Sequence, residues 1–309
     1  MRCLVLGGTG FIGKNLVAKL EQQGHFVRTY SSSQNSSEST TVKHIQGNFS
    51  TGENLELALK EIDVVYHLIC NTLPNLPHTK SSEDIEDNLL GTIRLLNLMT
   101  NAKNKKIIFA SSGGTVYGKP EYLPLDEKHP TNPICSYGIT KLSIEKYLHL
   151  FALNSHINAV VLRISNPYGP HHNIKKMQGL INTLCFNITH EIPVTIWGDG
   201  SIVRDYIHID DVGNALVSAL NNTEKFMVAN VSSGVGLSVN MIIQKVLSIT
   251  GANPEIQYKE ARSFDIQECI LSNDQIKKAL DWSPKINIDE GIIRTVECLT
   301  GKSPTKKHP

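Results

Sequence analysis

Along the first half of the chain, short apolar runs alternate with stretches where apolar residues recur every three or four positions. "RCLVLG" reads as a strand, and residues 11–23 carry a helical period. "HFVRTY" and "VKHIQG" are predicted strands, "LELALKEI" a helix and "DVVYHLI" a strand. A long helix is predicted over 84–102, followed by the strand "KKIIFASS"; a helix beginning at 136 leads to the strand "NAVVLRIS". This alternation predicts an α/β fold, a doubly wound parallel sheet with helices on both faces.

After about residue 166 the texture changes, with Pro167, Gly169, Pro170, Pro193, Gly198 and Gly200 breaking the runs. Shorter elements are predicted: a helix near 176–190, the strand "VTIWG", a helix at 210–221, "MVANVSS", a helix at 238–250, "EIQYKE", and helices near 273–280 and 288–299. The expected organisation is a sheet domain over 1–165 and a smaller α/β lobe over 166–309, interleaved with the first. The serine-rich stretch 31–41 reads as a flexible loop.

The 309 residues are ample for a sizeable core, and a formal net charge of +1 points to neither a nucleic-acid surface nor an acidic tail. The basic C-terminal "GKSPTKKHP" is short and reads as a solvated end. Six cysteines at 3, 70, 135, 185, 269 and 298 have neither metal-ligand nor disulfide-framework spacing, so no metal is expected and the reading is cytoplasmic. No stretch approaches the apolar length of a membrane span, and the N-terminus lacks the form of a signal peptide.

"GGTGFIG" follows the first strand and opens the first helix. It satisfies G-x-G-x-x-G through Gly8, Gly10 and Gly13 and adds Gly7. Glycines let the backbone approach a pyrophosphate, and the helix N-terminus offers free N–H groups and partial positive charge. The strand-to-helix context turns a weak motif into a dinucleotide site. An acidic residue for the ribose is expected about 20 positions on. None occurs between Glu21 and Glu38; Ser31 stands there, with Ser32, Ser33 and Arg28 nearby. The pattern therefore admits NADP as well as NAD.

"SYGITKLSIEKY" places Tyr137 and Lys141 four apart on one helix face. Taken alone they read as a surface pair. Beside a nicotinamide site they form a proton-transfer unit, because a phenol is a weak base until neighbouring positive charge favours its phenolate.

With these motifs in order, the chain resembles the extended short-chain dehydrogenase/reductases, and within them nucleotide-sugar epimerases of the UDP-galactose 4-epimerase type. "GGTGFIG", "YHLIC", "NLLGTIRLLN", "SSGGTVYG", "SYGITK", "LRISNPYGP", "IWGDGSIVRDYIHIDDV" and "ARSFD" carry the resemblance over nearly the whole length. It implies a Rossmann-type fold with bound NAD, lined by Gly7, Gly10, Phe11, Ile12, Gly13, Ser31, Ser32, Asn48, Phe49, Leu68, Asn88, Tyr137 and Lys141. It implies a nucleotide-diphosphate sugar, UDP-linked, met by Asn166, Arg204 and Arg262, and a homodimer built through residues 84–102 and 136–150. Guanidinium forks suit phosphate oxygens; the plain alternatives are ion pairs of Arg204 with Asp205 and of Arg262 with Asp265.

Two positions depart from the family, Gly113 and Thr72. Gly113 stands where a Ser or Thr should hydrogen-bond the sugar hydroxyl, leaving Ser112 or Thr115 to take that part. Gly114 and Thr115 replace the Asp-Glu of sugar 4,6-dehydratases, which disfavours elimination. Thr72 lies where a cofactor-binding lysine is common. Seven residues after Arg262, Cys269 occupies the position that gates the C2 substituent; its small side chain implies room for an N-acetyl group, or simply packs in a core. The resulting expectation is a 4-epimerase acting through a transient 4-keto sugar. An NADPH-dependent keto-sugar reductase and a non-catalytic dinucleotide-binding protein stand as rivals.

Overall fold

The computed structural model describes residues 1–33, 42–72, 81–102, 105–172, 179–261 and 266–301. Its centre is a seven-stranded sheet of β1 (Arg2–Leu6), β2 (Phe26–Ser31), β3 (Lys43–Gln46), β4 (Val64–His67), β5 (Lys106–Ser112), β6 (Asn158–Ile164) and β10 (Phe226–Val231). The spatial order is β10-β6-β5-β4-β1-β2-β3. Every neighbouring pair runs parallel. The sheet reverses its winding beside β1 and β4, and the strands' C-terminal ends there open the crevice where doubly wound folds bind ligands.

Both faces are covered, which is why the strands read as apolar runs rather than alternating ones. On one face α1 (Phe11–Gln22) and α7 (Ile209–Ser218) seal Val5, Leu16, Ile108 and Val212. On the other, α2 (Leu55–Leu59), α4 (Gly91–Ala102) and α5 (Ser136–Asn154) cover Leu4, Val65, Leu95 and Ile144. β10 and α7 come from beyond residue 166, so the later chain completes the first sheet.

The remaining elements form a smaller layer. β7 (Asn166–Tyr168), β9 (Val203–His208), β11 (Gly236–Ser238) and β13 (Glu268–Cys269) make one small sheet; β8 (Val194–Trp197) pairs with β12 (Ile256–Lys259). A third core gathers Ile181 and Leu184 of α6 (Leu180–Thr189), Ile242 of α8 (Val239–Thr250) and Ile292 of α10 (Ile288–Thr300). α9 (Asp274–Leu280) packs Ile276 onto the main core.

Several boundaries differ from the sequence reading. The 84–102 segment is three pieces: α3 (Ser81–Asp84), a π-helical turn over Ile85–Leu90, and α4. The helix expected from 176 is described from Leu180, and the one expected to 221 ends at Ser218 in a 3-10 turn, Ala219–Asn221. The apolar pattern does not announce β7, β9, β11 and β13, because each is short and crossed by polar residues. Residues 34–41 of the serine-rich stretch, the Arg262–Asp265 pair and the tail from 302 lie outside the described residues.

Candidate active site

The glycine turn closes on itself as the motif requires. Gly7 takes φ +84°, and its N–H donates to the Tyr30 carbonyl at 2.8 Å, tying β1 to β2. A Cβ on Gly13 would sit 2.2 Å from the Gly7 oxygen and 2.7 Å from the Gly8 Cα. Only glycine permits that approach. Gly10 caps α1 with no side-chain bond, and the first turn holds no carboxylate. An uncapped, acid-free helix N-terminus behind glycines is a cradle for a pyrophosphate, so the residues present fit a dinucleotide.

At the end of β2 the Ser31 hydroxyl donates to the Ser33 carbonyl at 3.0 Å, and Thr9 Oγ1 lies 3.3 Å from Ser33 Oγ. Ser32 is exposed. Arg28 does not reach this end: its guanidinium donates to the carbonyls of Ala58 and Lys60, both at 2.8 Å. It is therefore no 2′-phosphate ligand. Asn48 is exposed after β3, while Phe49 is buried against His67, ring centroids 5.1 Å apart. Leu68 follows β4, its backbone within 3.2 Å of where a Gly7 Cβ would be. Phe11 meets His172 edge to face. Phe11 and Ile12 are half-buried.

Tyr137 and Lys141 share one face of α5, with Lys141 Nζ 5.7 Å from the Tyr137 ring centroid. The surface-pair reading fails, since Lys141 is buried and donates to the Ala110 carbonyl at 2.7 Å. Burial pushes the Tyr137 phenol up, and Cys70, Cys135 and Asp84 push the same way. The neighbouring Ser112 hydroxyl acts the other way and favours its ionisation. Burial presses the Lys141 ammonium down, while Cys70, Glu145 and Asp84 hold it up. In the protein alone, desolvation thus outweighs the help Ser112 gives the phenolate. Thr115 Oγ1 is buried with no partner. Gly113 leaves no room for a larger residue unless Leu271 moves: a Cβ would meet Leu271 Cδ1 at 2.3 Å.

Around the pair lies a polar frame. Asn88 sits in the π-helical turn, a local irregularity common at functional sites. Its amide donates to Asp84 Oδ1 at 2.9 Å and to Thr72 Oγ1 at 3.2 Å, and its carbonyl oxygen accepts the Asn71 N–H at 3.1 Å. Thr72 therefore belongs to this frame. Further along α5, Glu145 accepts Arg163 at 2.7 Å and Ser111 at 2.5 Å, a buried, hydrogen-bonded ion pair.

Arg204 lies on β9 with Nη1 donating to its neighbour Val203 at 2.8 Å. It forms no ion pair with Asp205 among the described residues. Asp205 is buried and instead accepts Ser165, Ser233, Gly234 and Leu271, which ties three loops together. Asn166 faces Tyr206 in register, and Tyr206 and Arg204 point to one side of β9, so Asn166 and Arg204 are diagonal neighbours. Cys269 pairs with Arg204 across β13 and β9, is buried, and directs Sγ toward the Gly113 carbonyl at 3.9 Å. Arg262 lies outside the described residues.

The NAD dependent epimerase/dehydratase family matches residues 3–232. This chain belongs to that family. UDP-glucose 4-epimerase of Mycolicibacterium smegmatis is 30% identical over 98% of this chain and 100% of its own. The solved UDP-glucose 4-epimerase of Thermotoga maritima with UDP-glucose is 31% identical, covers 97% of this chain and 99% of that one, and superposes with a TM-score of 0.92. The Thermus thermophilus UDP-glucose 4-epimerase, solved in complex with NAD, is 30% identical over 97% of this chain and 99% of that one, with a TM-score of 0.90.

Within the epimerase/dehydratase frame, motif reading missed Asp84, Asp205, and Glu145 with Arg163. In "SSEDIEDN" Asp84 is one of several acids on an apparent exposed helix face. Nothing in the spacing separates the buried one from its neighbours, because the partners that hold it, Thr72 and Ser136, lie far off in sequence. Asp205 beside Arg204 invited an ion-pair reading, and the acceptor geometry replaces it.

Proposed function

We propose that this protein is an NAD-dependent UDP-hexose 4-epimerase. The observation that carries the reading is the group of buried Lys141 with half-buried Tyr137 and Ser112 at the C-terminal end of β5, in a chain aligned end to end with UDP-glucose 4-epimerases. Bound NAD supplies the acceptor and donor of a hydride at sugar C4. Tyr137 takes the C4 hydroxyl proton and returns it. Ser112 hydrogen-bonds both phenol and sugar hydroxyl, filling the part left vacant by Gly113. Lys141, fixed by the Ala110 carbonyl, holds positive charge beside the phenolate and reaches the nicotinamide ribose. Gly7, Gly10 and Gly13 with the first turn of α1 hold the pyrophosphate. Ser31 and Ser32 meet the adenosine ribose without cationic help from Arg28, which favours NAD over NADP. Asn166, Arg204 and Arg262 anchor the sugar's diphosphate while the transient 4-keto sugar turns over. Residues 1–165 supply the dinucleotide side and 166–309 the substrate side of one interleaved body.

The test is to incubate purified protein with UDP-glucose and with UDP-N-acetylglucosamine and assay the C4 epimers. Silence with both, in protein shown to hold NAD, sinks the reading; net NADPH consumption on a keto-sugar supports a reductase instead. Cys269 being small, both sugars are expected to turn over. Cys269 packs in a small core with Val116, Tyr117, Leu125 and Leu271; Cys269→Tyr is expected to cut N-acetylhexosamine turnover about tenfold or more while sparing UDP-glucose, whereas an equal loss on both sugars would mean that the ring only overpacks that core.

A second copy completes the proposed assembly. Ile139, Tyr147, Leu150 and Leu153 form an exposed stripe at helical spacing on α5, with Leu153 67% exposed, and Ile85 and Leu90 stand on the neighbouring helix. Such a stripe is a helix-packing face without a partner in the monomer. Leu153→Asp is expected to shift the protein from dimer to monomer by light scattering; an unchanged mass would place the interface elsewhere. The six free thiols suit a reducing compartment, and the cytoplasm is the proposed residence.

A further inference from the structure

We infer that Asp84 is a positioning residue for Tyr137: its buried carboxylate clasps the first turn of α5 to the loop after β4, and it sets one negative charge beside the Tyr137–Lys141 pair. This rests on the epimerase reading above, in which Tyr137 is the base.

The geometry is specific. Asp84 is buried, and both its oxygens are used. Oδ1 accepts the Thr72 hydroxyl at 2.8 Å and the Asn88 amide at 2.9 Å. Oδ2 accepts the Ser136 hydroxyl at 2.9 Å. Thr72 belongs to the loop that leaves β4, Asn88 to the π-helical turn, and Ser136 is the first residue of α5, next to Tyr137. One carboxylate thus gathers three elements that have no backbone ladder between them. All three partners donate, so the ionised form fits the clasp. The α5 N-cap, Cys135, contributes no side-chain bond, and Ser136 is where this helix start is held.

The clasp continues inward. The Thr92 hydroxyl donates to the Asn88 carbonyl at 2.6 Å and meets His67 Nε2 at 2.8 Å. Burial drives His67 down to about 3, so it stays neutral and adds no charge. The other ionisable groups facing the pair are Cys70 from the loop after β4, and Cys135 and Glu145 from the α5 side. Asp84 opposes ionisation of Tyr137 and supports the charge on Lys141. Removing its charge lowers the ionisation point of both groups, so both limbs of a bell-shaped rate profile move to lower pH.

Two variants separate charge from clasp. In Asp84→Asn the amide oxygen still accepts Thr72 and Asn88, and the amide nitrogen donates to a Ser136 hydroxyl that turns to accept. Its kcat/KM profile is expected to move down by on the order of half a pH unit, with thermal stability near the parent's. Asp84→Ala loses the clasp, and kcat is expected to fall about tenfold to a hundredfold with KM within about threefold. A readout free of turnover accompanies both: fluorotyrosine is incorporated, the fluorine resonance of residue 137 is assigned with Tyr137→Phe, and it is titrated in NAD-loaded protein. In Asp84→Asn that resonance is expected to titrate at lower pH than in the parent; in Asp84→Ala it is expected to shift or broaden. An Asp84→Asn titration that overlays the parent's, or an Asp84→Ala protein that loses thermal stability alone, overturns the inference. If the parent shows no epimerisation, the functional reading fails, and the fluorine titration still decides the role of Asp84.

Discussion

Tyr137→Phe is expected to reduce epimerisation by about 10²–10⁴-fold, the usual contribution of a positioned acid–base group. The phenol is the one group of the trio that can both take and return the C4 hydroxyl proton. Lys141 is committed to the Ala110 carbonyl, and Ser112 is a neutral hydroxyl that favours ionisation of the phenol. The loss should fall on kcat, because in the proposed binding mode the diphosphate is anchored by Arg204 and Asn166 of the small β7–β9 sheet and not by Tyr137. Folding is expected to survive, since the ring is kept and only the hydroxyl goes. Burial holds the parent phenol above its ordinary value, so the active phenolate becomes scarcer as pH falls, and activity is lost on the acid side. Positive charge arriving with NAD opposes that burial, so the acid limb should lie below the phenol's value in the empty protein. The check is kcat and KM against pH for both proteins, with NAD content measured after denaturation. A variant within threefold of the parent would remove Tyr137 from the chemistry and the proposed mechanism with it.

The frame was legible in the sequence because its signals are local. Apolar runs buried on two faces announced β1, β2, β4, β5 and β6, and "GGTGFIG" announced the turn, since a Cβ at Gly13 has no room. Tyr137 and Lys141 followed from one helical turn of spacing. What stayed hidden depends on distant partners. β10 joins the first sheet beside β6 from more than sixty residues along the chain, a pairing no local pattern encodes. Asp84 reads as surface charge until the fold brings Ser136, more than fifty residues on, against its carboxylate. Arg204 and Asp205 are adjacent in sequence yet lie on opposite sides of β9, Arg204 half-buried and Asp205 buried among Ser165, Ser233 and Leu271. Telling Ser112 from Thr115 needed coordinates too, because both hydroxyls flank the two glycines, yet Ser112 favours ionisation of the phenol while Thr115 Oγ1 is buried with no hydrogen-bond partner among the described residues.

Gly13→Ala is expected to abolish retention of NAD while Gly114→Ala leaves it intact. At Gly13 the added methyl would lie 2.2 Å from the Gly7 oxygen, 2.7 Å from the Gly8 Cα and 2.9 Å from the Gly7 carbonyl carbon. All three are backbone atoms, so no side chain can swing away; α1 or the turn itself must move. Overpacking of this kind costs about 1–3 kcal/mol of stability. The same displacement opens the cradle, and each 1.4 kcal/mol of lost fit is about tenfold in Kd, so a loss of about a hundredfold in NAD affinity is expected. At Gly114 a Cβ meets nothing within 4 Å, which makes that substitution a control for the generic effect of adding a methyl near the site. Calorimetric titration of stripped protein with NAD reads the affinity, and thermal melts with and without NAD separate binding from folding. Retained affinity in a stable Gly13→Ala protein would mean that the pyrophosphate lies away from the α1 N-terminus, and the assignment of Gly7, Gly10 and Gly13 to the cofactor would have to be given up.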